Sequence, residues 1–146
     1  MHYQLLFSTC GHAPEIKFFV KFDDLVVGQF DCDNQNHLIV YNLDEMQDDI
    51  ARSRSITISM FGKSESHTLI NESNEILSDC YCTVDQIVMD EIDVTDQFCQ
   101  GQAVHIHKKD NTPNVEDKFF GFIGLNGDII LEFTTPLHLW MLRKCL

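Results

Sequence analysis

Residues 16–22 read IKFFVKF, an unbroken alternation that sets Ile16, Phe18, Val20 and Phe22 on one side and Lys17, Phe19 and Lys21 on the other. A period of two belongs to a strand with one buried face, whereas a helix needs apolar residues three and four apart. Asp23-Asp24 supplies a turn and residues 25–30 return, so a hairpin is predicted over 16–30. Related short runs at 3–7, 37–41, 55–61, 80–89 and 102–108 read as further strands, with 67–70 and 75–77 as brief ones. Within 55–61, Ile56, Ile58 and Met60 are the inward set. Ile92 and Val94 keep the alternation through 90–96, and 109–117 reads as a loop.

The last third contains FFGFIGLNGDIILEFTTPLHLW at 119–140. Asn126-Gly127 stands between two apolar runs, the strongest short-range hairpin signal. Ile129, Leu131 and Phe133 share one face of the returning strand, and Pro136 stops it. The expectation is a closing hairpin about Gly127 and a terminal segment that buries Trp140. A helix is suggested in one place only, where Leu43, Met46 and Ile50 recur at three- and four-residue spacing. Short strands, polar turns and at most one short helix near residues 43–51 predict an all-β fold, an antiparallel β-sandwich forming a single domain over 1–146.

The chain carries 23 acidic against 10 basic residues, a net charge of -13. Phosphate recognition needs clustered Lys and Arg, so nucleic acid and anionic membranes are excluded as partners. Three uses of the charge remain: a self-repelling soluble surface, carboxylates gathered for a cation, or imitation of nucleic-acid phosphates. The six cysteines, at 10, 32, 80, 82, 99 and 145, have no signal-peptide pattern before them. No run nears the roughly 20 apolar residues that span a bilayer. They are expected to be reduced thiols packed as small hydrophobes, and the protein to lie in a virion or a host cytoplasm.

Four constellations bear on chemistry. His105 and His107 share one strand face and with a neighbouring Asp or Cys make a metal site; the alternative is two solvent-facing residues with Val104 and Ile106 on the core side. Cys80 and Cys82 have the same geometry and are expected to pack in the core. Asp79, Asp85, Asp90, Glu91, Asp93 and Asp96 offer oxygen ligands for calcium, but are also what a solvated strand edge looks like. Trp140 is either an exposed stacking platform or, given Leu139, Met141 and Leu142 beside it, a core anchor. No nucleophile elbow or phosphate-binding glycine loop occurs, so no catalytic residue is assigned and no enzyme is expected. No metal or ligand-binding residue is assigned either, and no cofactor is expected, with calcium the one alternative.

A resemblance rests on ITISMFGK at 56–63, Thr68, Asp79, the strand 84–89 and DEIDV at 90–94. It continues through FGFIG at 120–124, Asn126-Gly127, LEF at 131–133, Thr135-Pro136 and WML at 140–142. Over about residues 55–142 the chain resembles small β-sandwich proteins of tailed bacteriophages, which are similar to jelly-roll carbohydrate-binding modules. The resemblance implies a jelly-roll sandwich and a non-catalytic virion component that contacts virion proteins, a second copy of itself or a surface glycan. Lys17, Phe19 and Lys21 mark one candidate contact face, because Phe19 is an apolar residue opposite the predicted core. The alternative function is an acidic intracellular inhibitor that imitates nucleic-acid charge against a host defence protein.

Overall fold

The computed structural model describes residues 2–42, 52–107 and 113–145, and all statements of structure below concern these residues. One sheet runs in the order Phe122–Ile123 (β12), Tyr81–Met89 (β8), His2–Cys10 (β1), Asn36–Asn42 (β4), with Ile92–Asp93 (β9) folded back on β8. The other runs Val115–Lys118 (β11), Val104–His107 (β10), Gly127–Thr135 (β13), Arg52–Phe61 (β5), His12–Phe22 (β2), Leu25–Asp33 (β3). Every pairing is antiparallel. A separate two-stranded ribbon joins Leu69–Ile70 (β6) to Ile76–Ser78 (β7). The predicted all-β sandwich is the fold observed.

Alternation explains how the sheets meet. Tyr3, Leu5 and Phe7 of β1 and Cys82, Ile87 and Met89 of β8 are buried, as are Phe18, Val20 and Phe22 of β2 and Ile56, Ile58 and Met60 of β5. All belong to one hydrophobic cluster. Aromatic pairs link strands of the two sheets: Tyr3 meets Phe22 at 4.6 Å between ring centroids, and Phe7 meets Phe30 at 5.1 Å. The 16–30 hairpin forms as predicted, with Asp23 in the left-handed region (φ 52) at its turn.

Two expectations are corrected. The Asn126-Gly127 hairpin does not form, because β12 pairs with β8 in one sheet and β13 with β10 and β5 in the other. The chain therefore crosses between sheets at this point. Gly127 is still required, since a Cβ there would lie 2.2 Å from the Ile106 carbonyl oxygen, and its φ is +148. The loop expected over 109–117 ends early, because residues 115–117 belong to β11, an exposed edge strand on β10.

Helical segments also occur where the sequence suggested none. The suggested helix at 43–51 falls outside the described residues. A helical turn, Thr95–Gln97 (α1), runs on into a π turn at Phe98–Gln102, and a second helix covers Leu137–Cys145 (α2). The second follows Pro136, whose fixed φ suits a helix start, contains no β-branched residue, and ends with Arg143 and Lys144 favourably placed against the helix dipole. Its Leu137 and Trp140 are buried and Met141 partly so, an i, i+3, i+4 stripe. Trp140 packs edge-on against Phe133 at 6.1 Å, which makes it the core anchor rather than a platform. No described helix is long and apolar enough to cross a membrane.

Candidate functional site

The outer face of the five-stranded sheet carries the most chemistry. On β8, Cys82 and Val84 point inward, so Tyr81 and Thr83 point out. On β12, Ile123 is fully buried and Phe122 is 50% exposed. Phe122 stands opposite Thr83 in register, and its ring lies 4.7 Å from that of Tyr81. Gly124 makes room for this ring, since a Cβ there would sit 2.5 Å from Phe122 Cε1. The result is an aromatic pair with one open side.

A polar row continues from the pair across the sheet. Thr83 Oγ1 donates to Asp85 Oδ1 at 2.9 Å, and the Ser8 hydroxyl donates to the other oxygen of the same carboxylate. Ser8 Oγ also lies 2.8 Å from the side-chain amide of Asn36 on β4. Asp85 is exposed at the irregularity where the β1–β8 register shifts between Leu6 and Phe7. Such a bulge re-aims a side chain, here a carboxylate toward solvent.

Beside this row, Leu6, Asp85, Gln86, Asp93, Thr95, Asp96 and Gln97 line an open groove of about 560 Å³. Asp93 is fixed by Thr95, whose backbone N–H donates at 2.9 Å and hydroxyl at 2.5 Å, and by Gln86 Nε2 at 3.3 Å. The Thr95 hydrogen bonds hold the Asp93 carboxyl below the usual carboxylate range. Three carboxylates, two amides and a hydroxyl therefore face the groove, and no Lys or Arg lines it. Such a set accepts hydrogen bonds from hydroxyl-rich ligands and repels anions.

The structure divides the acidic string. Asp85, Asp93 and Asp96 share the groove, while Asp90 and Glu91 form the turn into β9, where Asp90 accepts the His2 N–H at 2.7 Å. Asp79 is structural: it pairs with Lys63 at 2.8 Å and accepts a 2.8 Å bond from the Thr68 hydroxyl. Burial pushes the Asp79 carboxyl up, but those two hydrogen bonds and the Lys63 charge outweigh it and hold it low. Among the described residues, no three His, Cys, Asp or Glu side chains gather as a metal-holding group.

His105 and His107 do share a face, but it is the inner one, which reverses the expected orientation. His105 is buried at 7% exposure, while Val104 and Ile106 are half-buried on the outside. The inner surface is here closed by an aromatic ring, since Phe119 meets His105 edge-on at 6.4 Å. His107 Nε2 lies 2.7 Å from Asp117 Oδ2 on the edge strand. Burial, then the neighbouring His107, lower the His105 pKa. Cys82 is a core residue as expected, whereas Cys80 precedes β8 and is half-buried. On the opposite sheet Lys17 pairs with Asp31 at 2.7 Å, and Phe19 is partly covered by Phe61, 5.6 Å away.

Sequence reasoning missed Tyr81 and Phe122 as a site. The available signal was parity, because 81 and 83 must face away from a core that takes 82 and 84.

No protein-family model matches the sequence, and a search of curated proteins returns no match. Among solved structures, the fold is similar to "vCBM60 in complex with galactobiose", with a TM-score of 0.52 and 10% sequence identity. The superposition covers 90% of this chain and 97% of that one. At that identity the likeness establishes the fold, a sandwich of carbohydrate-binding-module type.

Proposed function

We propose that this protein is a non-catalytic carbohydrate-binding protein that takes a glycan on the outer face of its five-stranded sheet. The observation that carries the reading is the Tyr81–Phe122 pair, an exposed aromatic surface beside a row of positioned hydrogen-bonding groups. A sugar ring presents a C–H face that stacks on an aromatic ring and a rim of hydroxyls that needs acceptors and donors. Asp85, Gln86, Asn36 and Asp93 supply the polar partners. The carboxylates favour neutral glycans over uronic-acid polymers. The solved neighbour of the same fold, bound to galactobiose, supports the choice of ligand class.

The experiment is a glycan array of neutral and anionic oligosaccharides, galactobiose included, followed by affinity electrophoresis in gels containing each polymer that scores. Retardation by at least one neutral glycan is expected, and retardation by none contradicts the reading.

We further propose a setting for this binding, as a component of a tailed-bacteriophage virion, supported by the sequence resemblance over residues 55–142. Proteomics of purified virions that lacks the chain contradicts that setting. The net charge of -13 favours the second reading, an acidic inhibitor. Salt-sensitive binding to a basic host protein, with no glycan bound, would select it.

A further inference from the structure

We propose that Cys80 is a thiol–disulfide exchange site with Cys32 as its internal partner, so that a low-molecular-weight disulfide such as oxidised glutathione joins the two. Cys32 lies in β3 of the six-stranded sheet and is fully buried. Cys80 immediately precedes β8 of the other sheet, is half-buried, and like Cys32 is a free thiol.

Both sulfurs gather around Gly11. Cys32 Sγ lies 3.5 Å from the Gly11 carbonyl oxygen and 3.2 Å from that of Cys10, while Cys80 Sγ is 2.6 Å from the point a Gly11 Cβ would occupy. Gly11, at φ +92, thus puts no side chain between the thiols, and both pack against this one residue. A disulfide needs the sulfurs to close to about 2 Å.

The chemistry balances in two exchanges. The Cys80 thiolate attacks oxidised glutathione, forming a mixed disulfide and expelling one glutathione thiolate, which takes up the proton Cys80 has lost. Cys32, deprotonated by solvent base, then attacks the Cys80 sulfur and expels the second glutathione. In sum, two protein thiols are oxidised and one glutathione disulfide is reduced. Exposure makes Cys80 the first to react. Burial pushes the Cys32 thiol up to about 12, so the second exchange is the slower one. Burial also raises the Cys82 thiol and keeps it out of reach of the reagent. The new bond ties one sheet to the other directly before Tyr81.

The test incubates the intact protein with oxidised glutathione and maps peptides by mass spectrometry without reduction. The expected product is a Cys32–Cys80 linkage with Cys10 and Cys82 free. It should raise Tm by several degrees and revert with excess reduced glutathione. Cys32→Ser should accumulate glutathione on Cys80, and Cys80→Ser should leave Cys32 unmodified. Three outcomes overturn the proposal: glutathione retained on Cys80 of the unaltered protein with Cys32 free, a Cys80 linkage to Cys10 instead, or no reaction at Cys80.

Discussion

The side chain of Asn126 holds the backbone of Lys63 by two hydrogen bonds, accepting the Lys63 N–H at 3.0 Å and donating to the Lys63 carbonyl at 2.8 Å. The Lys63 ammonium in turn donates to the Gly124 carbonyl at 2.7 Å. Residues 124–126 are thereby clamped to the segment after β5, next to the glycine on which the Phe122 ring rests. Asn126 is a clasp between segments and does not build a hairpin turn.

Removing the clasp should be costly. Asn126→Ala deletes two hydrogen bonds, each worth roughly 1 kcal/mol net, and should lower stability by about 2 kcal/mol. Urea denaturation measures this directly, and an unchanged midpoint would show that the clasp contributes nothing.

Gly127→Val should be far more damaging. A β-branched residue must adopt φ +148 and place its Cβ 2.2 Å from the Ile106 oxygen and 2.9 Å from His107 Cα. Strained backbone alone costs roughly 1–3 kcal/mol, and the clash with main chain adds to it. The expected outcome is insoluble protein or loss of cooperative unfolding. A variant with wild-type stability would contradict the close approach.

Much of this fold can be read from the chain, and the exceptions have physical causes. Parity gave β2 and β5 their inward faces because Phe18, Val20, Ile56 and Ile58 are buried in a largely apolar core. Parity misled at β10, where an imidazole packs inward against Phe119 and two aliphatic residues point outward. Asn-Gly marks a place where the chain needs a permissive backbone, but local sequence does not say whether the next strand joins the same sheet or crosses to the other. The helix at Leu137–Cys145 is short, and its stripe of Leu137, Trp140 and Met141 also suits an irregular apolar tail. The candidate site was less legible than the fold. Tyr81 and Phe122 lie 41 positions apart in sequence and meet only because β12 pairs with β8.

Acid should destabilise the protein through His105. Burial and His107 lower its folded-state pKa, with an N–H donated to the Leu125 carbonyl and the charges of Asp117 and Asp128 opposing. The unfolded state, with a pKa of about 6.5, therefore binds the proton more readily. Stability is fully present above that pH and is lost as pH falls below it. Tm should drop between pH 7 and pH 5 in the unaltered protein and less in His105→Gln, which cannot take up the proton. Equal slopes in the two proteins would contradict this account. Asp33, Asp79 and Asp93, whose pKa values are also lowered, add their own losses only below about pH 4.

The carboxylate held in the polar row should matter for binding and little for folding. Asp85→Ala leaves Thr83 and Ser8 hydroxyls that water can satisfy at an exposed position, so stability should change by less than about 1 kcal/mol. Affinity for a bound glycan should fall about tenfold, as expected for one charge-assisted hydrogen bond. Calorimetric titration of both proteins with the same oligosaccharide provides the comparison.

The most direct test of the sugar-binding face is Phe122→Ala titrated calorimetrically against a neutral oligosaccharide that the unaltered protein binds. Phe122 is half exposed and packs on Tyr81 rather than in the core, so Tm should move by no more than a few degrees. Loss of a stacking ring should weaken binding at least tenfold. Unchanged affinity in a folded Phe122→Ala protein would place the ligand elsewhere and contradict the assignment of this face.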